Sequence, residues 1–275
     1  MDDWYKPHEI KKPQLIYLDT MVYRHLLDNP EDVTKFYHFI KSNLLFPAIS
    51  DIVFLELSPK SKHREELNTL LPGINSILLK KSNQIIEEEV NNYPNGIDTS
   101  IIDENGYLIA LLFKKEIEKK LASSQTRKDW KTFRSFSSQM ESKLTSVMKG
   151  YPTSSSGKYS RDQAYDFSKL IVMKWLSGEH PRFILPHLKK KNEFKPEGIQ
   201  SIQLFANYVF YKYYNGRRTP KKLSEFGDLF HLFYLPFCKQ AVLERDMCSI
   251  LLNIQKEENL LQGVTIHNID FFKTL

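Results

Sequence analysis

Only two cysteines, Cys238 and Cys248, occur in the 275 residues. Their spacing is not that of a zinc half-site, and two are too few to staple a chain of this length, so both are expected to be reduced. Nowhere do about 18 apolar residues run without a charge, the least a membrane-crossing helix needs. The opening MDDWYKPHEIKKPQ has no apolar stretch of the kind a signal peptide requires. A cytoplasmic protein with no membrane partner is therefore expected. There is no G-x-x-x-x-G-K-[ST] segment and no G-x-G-x-x-G, which removes the usual glycine-rich phosphate cradles, and no serine-hydrolase elbow. Internal repeats and low-complexity segments are also absent.

What is present is an ordinary globular composition, with 41% hydrophobic and 26% charged residues, enough to bury a core in one large domain or two small ones. A net charge of +6 modestly favours a polyanionic partner. That balance alone selects no function, since many proteins are as basic.

The two ends of the chain alternate strand and helix patterns. QLIYLDTMV, residues 14–22, is an apolar run of strand formers ending on an acid, and RHLLDN continues as helix. Residues 30–43 place Val33, Phe36, Tyr37 and Ile40 at helical spacing, LLFPAIS reads as a second strand, and Ser50 and Asp51 suit the start of a helix through IVFLEL. Near the other end, residues 221–237 read as helix, KQAVLE as strand, RDMCSILLNIQKEENLL as helix and GVTIHN as a last strand. This alternation predicts an α/β fold with a parallel sheet assembled from both ends of the chain. Between them, helical patterns prevail from Lys60 to Pro220, including SNQIIEEEVNNY capped by Ser82 and SIIDENGYLIALLFKKEIEKKL; GYPTSSSGKYS reads as a loop. Domain limits follow as 1–59 and 221–275 for the core, with 60–220 a helical insertion or lid.

Ligands of open parallel sheets gather at the carboxyl ends of the strands. Asp19 follows the first strand, Glu56 lies on the helix after the second, and Glu244 ends the strand QAVL. Asp228 sits in an otherwise apolar face with Phe226, Leu229, Phe230, Leu232 and Phe233. Carboxylates gathered in one cleft repel one another unless a cation neutralises them, and oxygen-only ligands suit magnesium or manganese. Such an ion can activate water and offset charge at a phosphate, so phosphodiester hydrolysis is the expected chemistry. Each acid by itself has a bland explanation: Asp19, for one, is equally suited to cap a helix.

LIYLDTMVYRHLL with FPAISDIVFLEL, and later GDLFHLFYLPFCKQAVLERDMCSILL with VTIHNIDFF, resemble a PIN domain. The resemblance covers the two ends of the chain. It implies a PIN-like sheet flanked by helices and a metal-dependent nuclease, with many relatives cutting RNA and some acting as toxins or in RNA processing. Its four acids correspond to Asp19 in YLDT, Glu56 in SDIVFLEL, Asp228 in GDLFHL and Glu244 at the end of the fourth strand. The fourth position departs from the pattern, because aspartate is commoner there and Asp246 competes with Glu244. The long middle has no counterpart in a minimal PIN domain.

Several basic pairs could meet phosphates, and Arg217 and Arg218 are the preferred RNA contacts because they shortly precede Asp228. For any single pair, solvated surface charge is the commoner outcome. FANYVFYKYYNG interleaves aromatics with lysine, as base-stacking segments do, but helical core is the better expectation. His231, three residues after Asp228, could lie near a metal or shuttle a proton, with ordinary packing favoured. The Thr20 hydroxyl could face the phosphate or cap a helix. The expectation is thus an endoribonuclease using magnesium or manganese at Asp19, Glu56, Asp228 and Glu244. Its competitors are a DNA-cleaving enzyme of the same fold and a non-catalytic module binding nucleic acid or protein. An inhibitory or regulatory protein partner and a homo-oligomer both fit an activity hazardous to its host.

Overall fold

The computed structural model describes residues 12–57, 61–95, 100–103, 135, 142, 159–189, 193–216, 218 and 227–275. Chain order is β1 (Gln14–Leu18), α1 (Thr20–Asp28), α2 (Pro30–Ser42), β2 (Leu45–Ile49), α3 (Asp51–Leu57), α4 (Ser61–Gly73), β3 (Ile77–Leu78) and α5 (Ser82–Asn91). There follow α6 (Arg161–Glu179), α7 (Pro181–Lys189), α8 (Gln200–Val209), β4 (Gln240–Leu243), α9 (Arg245–Glu258) and β5 (Thr265–Asn268). The expected loop over 150–160 and the helix beyond residue 103 lie almost wholly outside the described residues. No described helix is long and apolar enough to cross a membrane. Both cysteines are free and buried.

The five strands form one parallel sheet in the order β3-β2-β1-β4-β5. The fold is α/β, with a largely helical middle of the chain. Parallel strands are covered on both faces, so every position can be apolar and successive side chains serve opposite layers. Leu15 and Tyr17 of β1, Phe46 and Ala48 of β2, and Ala241 and Leu243 of β4 pack into one layer. Ile16, Leu18, Leu45, Ile49 and Val242 pack into the other. The first layer takes residues from α5, α6, α8 and α9; the second takes Val22, Tyr23, Leu26, Phe36, Ile40 and the apolar face of α4. Each such aliphatic or aromatic side chain contributes on the order of 1.5 to 3 kcal/mol by leaving water. A charge introduced at Ile16 would therefore stand on a dry face.

Three sequence expectations need correction. The core does not stop at residue 59, because β3 pairs with β2 and adds an edge strand from inside the region assigned to the insertion. Ser82 is the first helical residue of α5, and Lys81 holds the cap position, its backbone N–H donating to the Gln84 side chain at 3.0 Å. The helix expected over 221–237 is, where described, α-helical only at Gly227 and Asp228 and continues as a pair of 3₁₀ turns, Leu229–Phe233 and Leu235–Phe237. Pro236 offers no N–H to a continuing helix, and all five residues 229–233 are buried, which a helix with one exposed face does not achieve.

Candidate functional site

The chain lays down β1, β2 and β3 in one direction across the sheet and then returns to the other side of β1 for β4 and β5. Strand order therefore reverses between β1 and β4, and the crevice beyond their carboxyl ends is where such sheets receive ligands. Asp19 follows β1 at that crevice and Glu244 follows β4.

Asp19 is almost fully buried. Its backbone is extended, so its side chain caps α1: the Val22 N–H donates to Oδ1 at 3.0 Å. The Glu244 N–H donates to Oδ2 at 2.7 Å, which ties the start of α1 to the turn between β4 and α9. The capping role and the site role thus fall on one residue. Burial raises the Asp19 carboxyl above its ordinary range, and Glu56 pushes the same way against His231 and the two N–H donors.

Asp228 stands just before the first 3₁₀ turn. Burial, with the charges of Glu244 and Glu56, pushes its carboxyl up to about 7, against the pull of His231 and Lys212. Glu244, half-buried at the start of α9, is also raised, by burial and by Asp19. For Glu56, burial is the largest influence and raises the carboxyl, but the hydrogen bond and charge of His231, with Thr20 and Arg24, outweigh it and hold the group low. All four predicted acids therefore lie within one electrostatic neighbourhood.

His231 is the hub. Its Nε2 lies 3.5 Å from Glu56 Oε2, and its Nδ1 lies 2.6 Å from the Tyr17 hydroxyl, which in turn is 2.9 Å from Ser50 Oγ. Burial alone would lower the imidazole, yet Glu56, Asp19 and Asp228 together raise it. When protonated, the ring donates from both nitrogens, to Glu56 and to the Tyr17 oxygen, which leaves the Tyr17 hydroxyl to donate to Ser50. Thr20, also buried, helps hold Glu56 ionised although its hydroxyl makes no hydrogen bond of normal geometry.

Two cations, the buried Lys212 and the exposed Arg218, engage Asp246 at the start of α9. Lys212 Nζ is 3.7 Å from Asp246 Oδ2 and lies 5.6 Å from the Tyr208 and Tyr213 ring centres. Arg218 pairs with Asp246 too. Asp246 is thus engaged by two cations, whereas Glu244 is raised by burial, by the charge of Asp19 and, more weakly, by that of Asp246. Arg217 lies outside the described residues.

Hard-cation chemistry suits this donor set, which is carboxylate-rich and carries more buried negative charge than His231 and Lys212 balance. Among the described residues, no three His, Cys, Asp or Glu groups are already spaced to grip one ion, so binding would require side-chain rotation. Two participants escaped the sequence reading. In the sequence Tyr17 reads as a strand former, although a hydroxyl in the middle of an apolar strand calls for a polar partner. Lys212 was assigned to aromatic interleaving, and a lysine among six aromatics in a buried helix equally calls for a counterion. The aromatics Phe205, Tyr208, Phe210, Tyr213 and Tyr214 are buried, as core packing predicted.

No family model matches the chain, and neither curated proteins nor solved structures give a match.

Proposed function

We propose that the cleft beyond β1 and β4 is the active site of a metal-dependent ribonuclease of PIN-like type, cutting phosphodiester bonds. The observation that supports this reading is the convergence of Asp19, Glu56, Asp228 and Glu244, from four separate elements, with burial and mutual repulsion driving three of the four carboxyls upward. Magnesium or manganese, when bound, supplies Lewis acidity and charge neutralisation at a phosphate and lowers the pKa of water. Asp19 is oriented by its two N–H donors, so one ligand is preorganised. Asp228 must release its proton for a cation to enter, which costs little above about pH 7. His231 holds a proton beside Glu56 and can pass it within the cleft. Arg218, exposed at the rim, can meet a phosphate backbone once it exchanges Asp246 for it, while the buried Lys212 holds Asp246 from within.

The test is cleavage of end-labelled single-stranded RNA by purified protein with magnesium or manganese. Asp19→Asn removes the charge and keeps the Val22 cap through its amide oxygen but loses the acceptor for the Glu244 N–H, so cleavage should fall about a hundredfold or more while circular dichroism shows the protein still folded. Equal cleavage by that variant sinks the proposal. A parallel DNA substrate decides the sugar preference.

One observation favours a second reading, a non-catalytic module with structural acids: both Asp19 oxygens already accept backbone N–H groups. Calorimetric titration with manganese separates the two, since this reading expects no binding heat.

A further inference from the structure

A second cleft lies where α6, α8 and the end of α9 meet, with a volume of about 280 Å³, near the lower end of small-ligand pockets. Its lining is acceptor-rich. Gln203 and Asn207, one turn apart on α8, are both more than nine-tenths buried, and the amide oxygen of each has no hydrogen-bond partner. The orientation of Asn207 is set, because its Nδ2 donates to the Gln203 carbonyl at 2.9 Å, leaving Oδ1 turned elsewhere. Ser168, which also lines the cleft, spends its hydroxyl on the Tyr165 carbonyl at 2.8 Å and does not serve the amides. Glu197 and Glu258 bring carboxylates to the lining, which Tyr165, Asn259 and Leu260 complete; Glu258 already accepts from Tyr211 and Glu197 from the Tyr165 hydroxyl.

Buried carbonyl oxygens without donors cost free energy, which a ligand supplying N–H groups removes. Two carboxylates at the same cleft select a positive charge on that ligand. We propose that this cleft binds a small organic cation bearing several N–H donors, of the diamine or guanidino class. The ligand's donors face Gln203 Oε1 and Asn207 Oδ1, and its charge is shared between Glu197 and Glu258. Its two unpartnered groups are both acceptors, so an anion or a neutral ether would leave the amide oxygens unserved. The proposal does not depend on the nuclease reading, since the acidic cleft contributes no residue to this lining.

Agmatine and putrescine are suitable probes, with succinate and 1,4-butanediol as charge and polarity controls, titrated calorimetrically into the full chain in metal-free buffer. Saturable binding of agmatine and putrescine is expected, and none of either control. Glu258→Gln and Glu197→Gln should each weaken binding about tenfold, the loss typical of one charge-assisted hydrogen bond. Asp228→Asn, in the other cleft, should leave it unchanged. Gln203→Glu adds a carboxylate where an acceptor already points, so it should tighten agmatine binding at pH 8, a gain that damaged folding cannot mimic. A cleft occupied by water alone gives no saturable binding to the folded protein, and that result overturns the proposal. Binding indifferent to both Glu197→Gln and Glu258→Gln overturns it, as does equal binding of succinate or a Gln203→Glu variant no tighter than the parent.

Discussion

The two clefts are both lined by acceptors, yet they carry their unmet demand differently. At the strand ends, Asp19, Asp228 and Glu244 bring formal charge into a dry place, and their carboxyls rise in response. Between the helices, Gln203 and Asn207 present neutral oxygens that cannot titrate, so their cost does not vary with pH. A charged deficit calls for a compact ion and makes stability depend on acidity; a neutral one calls for shaped N–H donors.

The widest separation between the clefts should come from metal and pH together. Manganese at about a hundredfold over its dissociation constant adds about 2.7 kcal/mol, or roughly 5 to 10 °C in Tm, at pH 8. At pH 5 Asp228 is protonated, and the rise should be much smaller. Differential scanning calorimetry at both pH values, with Glu258→Gln behaving as the parent, checks this. An equal rise at the two pH values would dissolve the distinction.

A smaller effect concerns Asp228 in metal-free protein. Its folded carboxyl, at about 7, lies above the ordinary 3.8, so the folded state binds the proton more tightly. The stability this contributes is fully present below about pH 4 and is lost as pH rises through about 7. Asp228→Asn should therefore stabilise the protein at pH 8 by on the order of 1 to 3 kcal/mol, less at pH 5 and little below pH 4. Glu89, raised to about 7 by burial despite the Ser201 N–H and hydroxyl that donate to it, titrates in the same window. Thermal melts should be made in a Glu89→Gln background, which removes the one other carboxyl raised to about 7 among the described residues. A variant no more stable at pH 8 than the parent would place Asp228 in better-hydrated surroundings.

The smallest effect belongs to the neutral cleft. Gln203→Met keeps the shape and removes the unpartnered oxygen, so ligand-free stability should rise by up to about 1 kcal/mol, equally at pH 5 and pH 8. Urea unfolding gives the number. A loss instead would mean the amide is satisfied in solution.

Much of the sheet was legible because a parallel strand buried on both faces has a plain signature. QLIYL, LFPAI and QAVL are short apolar runs, and an acid directly after the first and third stood out by contrast. The two-residue β3 was not legible, since Ile77 and Leu78 differ in no local way from the apolar stripe of a helix, and pairing with β2 alone defines them. Residues 229–237 misled for the opposite reason: their pattern suits a helix, and burial on every side, with Pro236, imposed 3₁₀ turns.

Of the acidic cluster, local sequence determined the position of each acid along its own element, because strand ends and helix starts are set by side chains a few residues apart. It also offered Asp19 as a cap for α1, the role it takes beside its place in the cleft. Which acids share a cleft, that His231 reaches Tyr17 across 214 residues, and that Asp246 rather than Glu244 takes Lys212 and Arg218 were decided by tertiary structure alone. Coulombic and hydrogen-bond energies depend on distances through space, and those distances exist only after the strand order has reversed beside β1.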